Sequence, residues 1–392
     1  MTGQQGGGFE GVQLVASLYD CAQESLLVDA DAVLAMCHEA IDAEGLQRVA
    51  DCKHAFVEGG GVSVAVVLAE SHVAIHTWPE FRAVTLDVYA CSYHRDNTGR
   101  ARKLVDRFAA AFGAGRIVGQ EVPRDRGRVF DPMSDHYGVY VDTSGVLVDE
   151  QSEFQRIELL DTPQFGKMLR LDGRNQCSEG EAFIYHEAMV HPVATAHPEP
   201  RDVLVLGGGD GGVAAELLKH PSIRSVQVVE IDAKVIEIAQ EHLSAIHGGA
   251  FDDPRVELLN KDGLKHIADA DDRTWDLILM DLTDEEGPAE ALYRSDFLAV
   301  CRSKLRPGGY LVAHMDAPFG RPENMRRHYR SMRTAFPNVR VQLIHVPLYG
   351  ELAMAVCSAD ADVLDVPAEV IEERLHERKV TDLRCYDGAT HH

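Results

Sequence analysis

The sequence predicts an α/β protein whose two halves differ in architecture. In the N-terminal part, short apolar segments with strand-like alternation are mixed with segments of helical periodicity. Farther along, strand, helix and strand patterns repeat, which predicts a parallel sheet with crossover helices. Short strand-like stretches lie between these two parts. We therefore expect an N-terminal α/β sandwich, then a small β-hairpin region, then a doubly wound α/β domain.

The N-terminal block contains segments typical of strands and of helices. The predicted strands cover residues 12–19, 62–69, 73–78 and 83–90, and the predicted helices cover residues 29–43 and 99–112. The stretch 83–90 alternates apolar and polar residues, as a strand with one buried face does. Residues 99–112 repeat apolar side chains at helical spacing. These elements predict a compact sandwich of sheet and helices.

Size and charge restrict the possible functions. A chain of 392 residues exceeds the roughly 250 to 300 residues that one hydrophobic core holds, so at least two domains are expected. The formal charge is −25, from 38 basic and 63 acidic side chains. This charge repels phosphate backbones and excludes nucleic acid as an expected partner. The acidic surface suits a polycationic substrate, although solubility alone also accounts for it.

The cysteines and the N-terminus indicate a cytoplasmic protein. The 8 cysteines are scattered without C-x-x-C spacing, which argues against zinc ribbons and a disulfide framework. The first residues, M-T-G-Q-Q-G-G-G, lack a signal-peptide pattern, and no apolar run approaches the roughly 20 residues that span a bilayer. We therefore expect a soluble protein in the reducing cytoplasm, with no metal site and no membrane association.

Composition also places the domain boundaries. The stretch 123–138 is dense in Pro, Gly, Asp and Arg, which is typical of a linker. Strand-like segments follow up to about Gln176, and the helical segment after them carries Y-H-E-A-M. The predicted segments are a domain at residues 1–122, a linker at 123–137, a small β domain at 138–196 and an α/β domain at 197–392.

The glycine-rich turn of the last domain predicts a nucleoside site. Gly207, Gly209 and Gly212 follow an apolar strand and open a helix, and Glu230 stands at the end of the next predicted strand. Glycines permit a tight turn and close approach of the ligand, while a carboxylate at the second strand end can hold two ribose hydroxyls. A Rossmann-like domain that binds a single adenosine fits this pattern, as does a turn with a purely structural role.

Acidic residues end several predicted strands of this domain. Ligands of open α/β sheets bind outside the carboxyl ends of the strands, so these acids are expected to converge on one pocket. They are Asp210, Glu230, Asp262, Asp281 and Asp284. Such a pocket suits a cation-bearing nucleoside and an amine. For Asp281 and Asp284 the alternative is a helix cap followed by a solvated acid.

From about Tyr140 onwards, this part of the chain resembles the spermidine synthase family of aminopropyltransferases. The resemblance rests on L-D-G-R-N-Q, Y-H-E, G-G-G-D-G-G, V-V-E-I-D, K-D-G, D-L-T-D-x-x-G-P-A-E and V-P-L-Y, in this order. It implies a methyltransferase-type, doubly wound domain. It also implies transfer of an aminopropyl group from decarboxylated S-adenosylmethionine to an amine.

This family resemblance implies roles for individual residues. Those implied to contact decarboxylated S-adenosylmethionine are Gln155, Gly207, Asp210, Glu230, Asp262 and Gly263. Asp281 is implied as the general base that deprotonates the attacking amine, with help from Tyr185. Acceptor binding is implied for His186, Asp284 and Tyr349.

The N-terminal block contains an unusual serine, Ser71, in A-E-S-H-V-A. Its surroundings match no G-x-S-x-G elbow, and strand-like residues on both sides argue against a helix cap. The block instead resembles the prokaryotic S-adenosylmethionine decarboxylases, whose members cut their own chain at a Glu-Ser bond. The matching stretches are G-V-S at 61–63, A-E-S-H at 69–72, I-H-T-W-P-E at 75–80 and D-V-Y-A-C at 87–91.

This second resemblance implies self-processing between Glu70 and Ser71, into chains 1–70 and 71–392. The Ser71 hydroxyl attacks the Glu70 carbonyl, an ester forms, and elimination leaves a pyruvoyl group at the new amino terminus. Ser63 and His76 match the family's processing residues, and Cys91 matches its proton donor in decarboxylation. The pyruvoyl ketone forms a Schiff base with the substrate amine and serves as an electron sink, so no diffusible cofactor is implied.

Together the two resemblances imply a bifunctional enzyme of polyamine biosynthesis. The first half would decarboxylate S-adenosylmethionine, and the second would transfer the aminopropyl group to putrescine, giving spermidine and methylthioadenosine. Two alternatives stay open. The first half decarboxylates ornithine or arginine, since H-A-F-V-E-G-G-G-V-S departs from the family's sequence, or one half is a non-catalytic regulatory or dimerisation module. The resemblance also implies a homo-oligomer.

Overall fold

The computed structural model describes residues 11–57, 60–91, 97–124, 127–134, 136–283 and 287–391. The chain divides into two compact units between Gly127 and Arg128, within the segment predicted as a linker. Nowhere in the described ranges is a helix both long enough and apolar enough to cross a bilayer. Each unit is a mixed α/β structure, so the predicted fold class is confirmed.

The first unit is one antiparallel sheet covered by two helices. Its strands are β1 (Gly11–Tyr19), β2 (Arg48–Ala55), β3 (Val62–Leu68), β4 (His72–Trp78), β5 (Ala83–Cys91) and β6 (Arg116–Pro123). Its helices are α1 (Ala30–Ala43) and α2 (Thr98–Phe112). The strands pair in the order β2-β3-β4-β5-β1-β6. The predicted strands and helices of this block are confirmed, and β2 and β6 are additional to them.

Strand alternation decides which face of this sheet is buried. The inward side chains of β1, β3, β4 and β5 are mostly aliphatic, and they form one core with α1 and α2. Asp29 begins α1 as its N-cap, because its carboxylate accepts hydrogen bonds from Asp31 N and Ala32 N, each at 3.0 Å. The opposite face of the sheet carries Ser63 and His76.

The second unit opens with a region of small β-sheets. Its strands are β7 (Gly127–Ser134), β8 (Tyr137–Thr143), β9 (Gly145–Gln151), β10 (Arg156–Thr162), β11 (Gly166–Leu171) and β12 (Arg174–Ser178). β7 pairs with β8, and the other four strands form a sheet in the order β12-β11-β10-β9. The prediction of a linker at 123–137 is therefore wrong for residues 127–134, which form β7. Asp131 on β7 is buried, and its carboxylate accepts a hydrogen bond from Asn175 N at 2.9 Å.

The rest of the second unit is a doubly wound sheet with its helices. The strands are β13 (Asp202–Gly207), β14 (Ser225–Glu230), β15 (Val256–Asn260), β16 (Trp275–Asp281), β17 (Leu305–His314), β18 (Asn338–Val346) and β19 (Gly350–Ser358). The helices are α3 (Ala182–Ala196), α4 (Gly212–Leu218), α5 (Ala233–His242), α6 (Ser244–His247), α7 (Gly263–Asp269), α8 (Ser295–Lys304), α9 (Pro322–Ala335) and α10 (Ala368–Glu377).

This sheet is mostly parallel and is buried on both faces. Its strand order is β15-β14-β13-β16-β17-β19-β18, with β13 to β17 parallel and β19 antiparallel to its neighbours. Val203 and Val205 of β13 belong to one apolar core, while Leu204 and Leu206 belong to another on the opposite face. The carboxyl ends of the parallel strands consequently meet at one edge of the sheet.

The C-terminal segment is fastened to helix α3. Glu187 on α3 is fully buried, and its carboxylate accepts hydrogen bonds from the backbone N–H groups of Arg384, Cys385 and Tyr386 at 2.8 to 3.1 Å. In turn, Arg378 on the segment after α10 donates to Ala194 O at 2.9 Å, near the end of α3. Both ends of the contact satisfy buried polar groups, so α3 is held firmly in the unit.

Candidate active sites

In the first unit, Glu70 and Ser71 lie in the turn between β3 and β4. A hydrogen bond from Leu68 N to Ser71 O, at 2.9 Å, closes the turn. The Ser71 hydroxyl accepts a hydrogen bond from Cys91 N, at the end of β5, at 2.9 Å. The structure therefore brings Glu70, Ser71 and Cys91 together, and the bond that was predicted to break lies in a tight turn.

Ser63 and His76 form a second polar pair away from this turn. The strand register places Ser63 opposite His76, and Ser63 Oγ hydrogen-bonds to His76 Nδ1 at 2.6 Å. A strand advances about 3.3 Å per residue, so the α-carbons of Ser71 and His76 are about 16 Å apart along β4. Within one chain, the structure does not bring the Ser63–His76 pair to Ser71.

Side chains that the sequence analysis missed surround Cys91. The amide of buried Asn97 donates to Cys91 O at 2.7 Å. Burial, together with the neighbouring Cys91, raises the pKa of the Tyr89 hydroxyl. The ring of His72 lies 5.6 Å from the ring of Tyr89. A polar and aromatic site thus adjoins the Glu70–Ser71 bond.

In the second unit, a cavity of about 320 Å³ lies at the carboxyl edge of the seven-stranded sheet. The loops after β13, β14, β15 and β16 line one side, and β12, α3 and the turn before β19 complete the wall. The predicted site residues that line it are Gln155, Tyr185, His186, Gly207, Asp210, Glu230, Asp262, Gly263, Asp281 and Tyr349. Asp284, the remaining one predicted for this half, lies outside the described residues.

Two glycines let the loop after β13 pack closely against other cavity residues. Gly207 has a φ of +77°, and a Cβ there would lie 2.0 Å from Asp281 O. A Cβ at Gly212 would lie 2.1 Å from the His186 ring. Gly208 N donates a hydrogen bond to Asp281 O at 2.9 Å. This approach of β13 to β16 therefore requires residues without a side chain.

His186 and Asp210 form an ion pair in the cavity wall. His186 Nε2 lies 3.3 Å from Asp210 Oδ2, and Gly212 N donates to Asp210 Oδ1 at 2.8 Å. Burial alone raises the pKa of Asp210, but the His186 charge outweighs burial and lowers the pKa to about 2. Burial likewise lowers the pKa of His186, and the Asp210 carboxylate more than reverses this, to about 9. At neutral pH the pair is therefore an imidazolium and a carboxylate.

Asp281 and Glu230 are cavity carboxyls that hold their protons more tightly than usual. Burial, and then the negative charge of Asp210, raise the pKa of Asp281 to about 7. The Tyr185 hydroxyl hydrogen-bonds to Asp281. Burial also raises the pKa of Glu230 to about 7, although Asp232 N donates to its carboxylate at 2.9 Å. A positively charged ligand would lower both pKa values, so the cavity suits a cation near neutral pH.

Asp232 is a residue outside the predicted set that positions Gln155. The Gln155 amide donates to Asp232 Oδ2 at 3.0 Å, and Ser152 Oγ donates to the same oxygen at 2.6 Å. Asp232 also caps α5, and such a cap is a signal that sequence reasoning could use. Asp262 likewise caps α7, since its Oδ1 accepts from Leu264 N at 2.9 Å. Asp262 therefore both caps α7 and lines the cavity.

The cavity wall contains further charged residues that the sequence analysis missed. Asp131 Oδ1 lies 3.1 Å from Arg174 Nε. Asp316 Oδ2 lies 3.7 Å from Arg321 Nη1. Asp316 follows β17, so an acid at a strand end was the signal that could have found it. Asp131 lies in the segment predicted as a linker, where no such signal exists. Glu181, just before α3, is another buried acid.

One group of the described residues has the spacing of metal ligands. The ligand atoms of His186, Asp210 and Asp281 all lie within 4.8 Å of one another. Within this group His186 and Asp210 neutralise each other, which leaves the carboxyl of Asp281 without a compensating charge in the group. The expectation of no metal stays a prediction.

Fold and cavity together define a class of protein. The mostly parallel sheet with antiparallel β19, the glycine loop after β13 and the acid at the end of β14 are those of a Rossmann-like domain for a nucleoside. The carboxyls around the cavity add a preference for positive charge. The second unit is therefore a Rossmann-like domain with an acidic cavity at the carboxyl edge of its sheet.

Comparison with known proteins identifies the families. The S-adenosylmethionine decarboxylase profile matches residues 12–125, the spermidine synthase tetramerisation domain matches 129–179, and the spermine/spermidine synthase domain matches 182–367. A polyamine aminopropyltransferase of Nitrosomonas europaea is 44% identical over 263 residues, which are 67% of this chain and 81% of that protein. One from Bacillus subtilis is 39% identical over 219 residues, 56% of this chain and 79% of that protein.

Solved structures agree with these matches. The match to the spermidine synthase from Thermotoga maritima covers 69% of this chain and 91% of that chain, with a TM-score of 0.64 and 29% sequence identity. The match to a spermidine synthase in complex with the transition-state analogue AdoDATO covers 69% of this chain and 92% of that chain, with a TM-score of 0.65 and 29% sequence identity. The chain belongs to the polyamine aminopropyltransferases of the spermidine synthase family. An S-adenosylmethionine decarboxylase domain precedes the aminopropyltransferase part of the chain. Both family resemblances seen in the sequence are confirmed.

Proposed function

We propose that this protein is a bifunctional enzyme that decarboxylates S-adenosylmethionine and transfers the resulting aminopropyl group to putrescine. The observation that carries the proposal is the succession of two domains whose reactions are consecutive. Decarboxylated S-adenosylmethionine, the product of the first, is the donor for the second. The raised carboxyl pKa values of the cavity support it, because this donor carries both a sulfonium and an ammonium. The expected products are spermidine and methylthioadenosine.

The first unit processes itself between Glu70 and Ser71 in this proposal. The Cys91 N–H holds the Ser71 hydroxyl at the turn, which suits attack on the preceding carbonyl. The attack converts the peptide to an ester, loss of the Ser71 Cα proton expels the Glu70 carboxylate, and hydrolysis of the remaining imine releases ammonia. The pyruvoyl group left at residue 71 supplies the electron sink for decarboxylation. Cys91, which adjoins this position, is the proton donor.

A second copy of the chain supplies Ser63 and His76 to this turn. In one chain the α-carbons of His76 and Ser71 are about 16 Å apart, too far for an imidazole to act at the Glu70–Ser71 bond. The Ser63–His76 pair lies on the sheet face opposite the helices, where His76 and Trp78 are exposed. A partner packed on that face would bring the pair of one protomer toward the turn of the other. The match to a tetramerisation domain supports a homo-oligomer.

The nucleoside of the donor lies along the carboxyl edge of the large sheet. Glu230 accepts hydrogen bonds from the ribose hydroxyls, and Asp262 with Gly263 contacts the adenine. Gln155, which Asp232 positions, also contacts the donor. Gly207 permits the close approach that this arrangement requires.

Asp281 is the general base of the transfer. A diamine is protonated at neutral pH, so its attacking nitrogen must lose a proton, which the Asp281 carboxylate accepts while Tyr185 orients it. The nitrogen then attacks the carbon next to the sulfonium. As the N–C bond forms, the C–S bond breaks, its electron pair neutralises the sulfur, and methylthioadenosine leaves. His186 and Tyr349 contact the acceptor, and Asp284 has the same proposed role.

Product analysis tests the proposed function directly. Purified protein is incubated separately with S-adenosylmethionine, ornithine and arginine, with putrescine present, and carbon dioxide and polyamines are measured. We expect carbon dioxide and spermidine from S-adenosylmethionine. Release of carbon dioxide only from ornithine or only from arginine would assign that amino acid as the substrate of the first unit. The glycine-rich sequence around Glu58 suggests this alternative. Glu58 itself lies outside the described residues. No carbon dioxide from any of the tested compounds would favour a non-catalytic first unit.

Donor affinity is expected to depend on pH. Burial raises the pKa of Glu230 and of Asp281 to about 7, so both carboxyls gain protons, and lose their charge, as pH falls below 7. Binding of a cation lowers these pKa values, so donor binding should release protons near pH 7 and weaken steadily toward pH 5.5. Calorimetry in buffers of different ionisation enthalpy measures both effects. Methylthioadenosine keeps the ribose that Glu230 contacts but lacks the sulfonium and the ammonium, so this control should show a shallower dependence; equal dependence for both ligands would contradict the effect expected from Asp281.

A further inference from the structure

Glu181 is a buried acid of the cavity with one unsatisfied oxygen. Its side chain lies just before α3, and the residue is 3% exposed. Its Oε1 accepts hydrogen bonds from Ser178 N at 3.0 Å and Ser178 Oγ at 2.9 Å. Its Oε2 is buried and has no hydrogen-bond partner among the described residues. Glu181 also lines the cavity, so the open oxygen adjoins the space where the substrates react.

The surroundings of Glu181 are those of the transfer site. His186 of α3 and Asp210 of the loop after β13 interact with its charge. The negative charge of Glu181 in turn helps to raise the pKa of Cys177 on β12 and the pKa of Tyr349 in the turn before β19. Since Asp210 and His186 already neutralise each other, no positive charge is left among these groups to match Glu181. Burial raises the pKa of Glu181 to about 7.

An unsatisfied buried carboxylate oxygen costs folding free energy, so its presence calls for an explanation. The bonds from Ser178 need one acceptor oxygen, which a glutamine amide would provide equally well. The charge and the second oxygen are therefore unexplained by the fold alone. Both substrates of the transfer carry a primary ammonium, which donates three hydrogen bonds and brings the missing positive charge.

We propose that Glu181 binds a primary alkylammonium of a substrate in this cavity, through its open oxygen, and so acts as a further positioning residue for aminopropyl transfer. This inference rests on the proposed function. The ammonium belongs either to the aminopropyl group of the donor or to the far end of the acceptor amine, and the kinetic constants distinguish the two.

Steady-state kinetics of Glu181→Gln tests the proposal. The variant keeps the shape and an acceptor oxygen for Ser178 but removes the charge. We expect KM for one substrate to rise by about tenfold to a hundredfold, the usual loss for a hydrogen bond to a charged group. A rise for decarboxylated S-adenosylmethionine assigns the aminopropyl ammonium, and a rise for putrescine assigns the acceptor. Glu181→Asp, which keeps the charge, should recover part of the loss.

Thermal unfolding of the ligand-free protein gives a second readout. The raised pKa means that the Glu181 contribution to stability is greatest below its unfolded pKa and is lost as pH rises through about 7. Glu181→Gln should therefore melt at a higher temperature than the wild type at pH 8.5, with a smaller difference at pH 5.5. Glu187→Gln is the matched control from the same region of α3. Its carboxylate is fully used by the C-terminal segment, so that variant should melt at a lower temperature without a change in either KM.

The outcomes separate the two proposals. If the wild type transfers no aminopropyl group, the proposed function fails. If the wild type is active and Glu181→Gln leaves KM unchanged for both substrates, the role of Glu181 alone is overturned, whatever happens to kcat. Should Glu181→Gln fail to fold, Glu181→Asn, which also removes the charge, decides by the same KM criterion.

Discussion

Replacing Asp281 by asparagine is expected to lower kcat for aminopropyl transfer by about 10²- to 10⁴-fold, the usual contribution of a general base. Asparagine cannot accept the proton from the attacking amine, whereas the backbone of residue 281, which accepts the hydrogen bond from Gly208 N, is unchanged. Decarboxylation by the first unit should stay at the wild-type rate, because Asp281 belongs to the second unit. Spermidine formation from supplied decarboxylated S-adenosylmethionine measures the transfer.

A matched substitution separates this role from a general effect on the second unit. Asp269→Asn changes an exposed aspartate on α7 and should leave transfer unchanged. Retained transfer in Asp281→Asn would refute the role of Asp281 as the base. Tyr185→Phe should give a smaller loss than Asp281→Asn, since it removes the hydrogen bond that orients the carboxyl and leaves the base itself.

Replacing Ser71 by alanine is expected to abolish both chain cleavage and decarboxylation. Without the hydroxyl no ester can form, so residue 71 cannot become the pyruvoyl group. The substitution removes the acceptor for the Cys91 N–H, which costs about 1 kcal/mol and leaves the core of the first unit intact. Mass spectrometry should find chains 1–70 and 71–392 in the wild type and one full-length chain in the variant. Transfer from supplied donor should be retained.

Two further chains sharpen this experiment. Ser25→Ala, at an exposed serine of the same unit, should be cleaved like the wild type. A mixture of Ser71→Ala and His76→Ala chains tests whether a second copy supplies the Ser63–His76 pair. In mixed oligomers the His76→Ala chain keeps its own Ser71 and should be cleaved. Cleavage of Ser71→Ala, or a wild type that remains full length, would contradict self-processing at this bond.

Secondary structure was predictable wherever local patterns carried the information. Asp29 before an apolar-periodic segment predicts the start of α1, and the carboxylate does cap that helix. The strand before Gly207 and the helix after it were predictable for the same reason, because apolar runs and glycine turns are local signals. β2 escaped prediction because it is an exposed edge strand, and such a strand needs no apolar alternation.

β7 escaped prediction for a different physical reason. Its sequence, G-R-V-F-D-P-M-S, has the polar and proline content of a linker, yet Asp131 is buried by partners on β12. Arg174 and Asn175 lie more than forty positions away in the chain, so no local pattern announces the contact. Hydrogen bonds to a distant strand stabilise β7, and that energy is invisible in a short window of sequence.

The site residues likewise fall into two groups, those that sequence motifs identify and those that only tertiary contacts reveal. Motif positions such as Asp210, Glu230 and Asp281 could be named because strand ends of a parallel sheet converge, a rule that follows from topology alone. Glu181 carries no motif, and its importance depends on one unsatisfied oxygen and on its neighbours across the cavity.

Local sequence thus sufficed for the fold class, for both family resemblances and for the residues at strand ends, because hydrophobic periodicity and short motifs act within one element. Two features depended on packing between elements. These are the ion pair of His186 with Asp210 and the raised pKa values of Asp281 and Glu230. Burial and charge–charge distance create them, and both quantities exist only once distant segments have folded together.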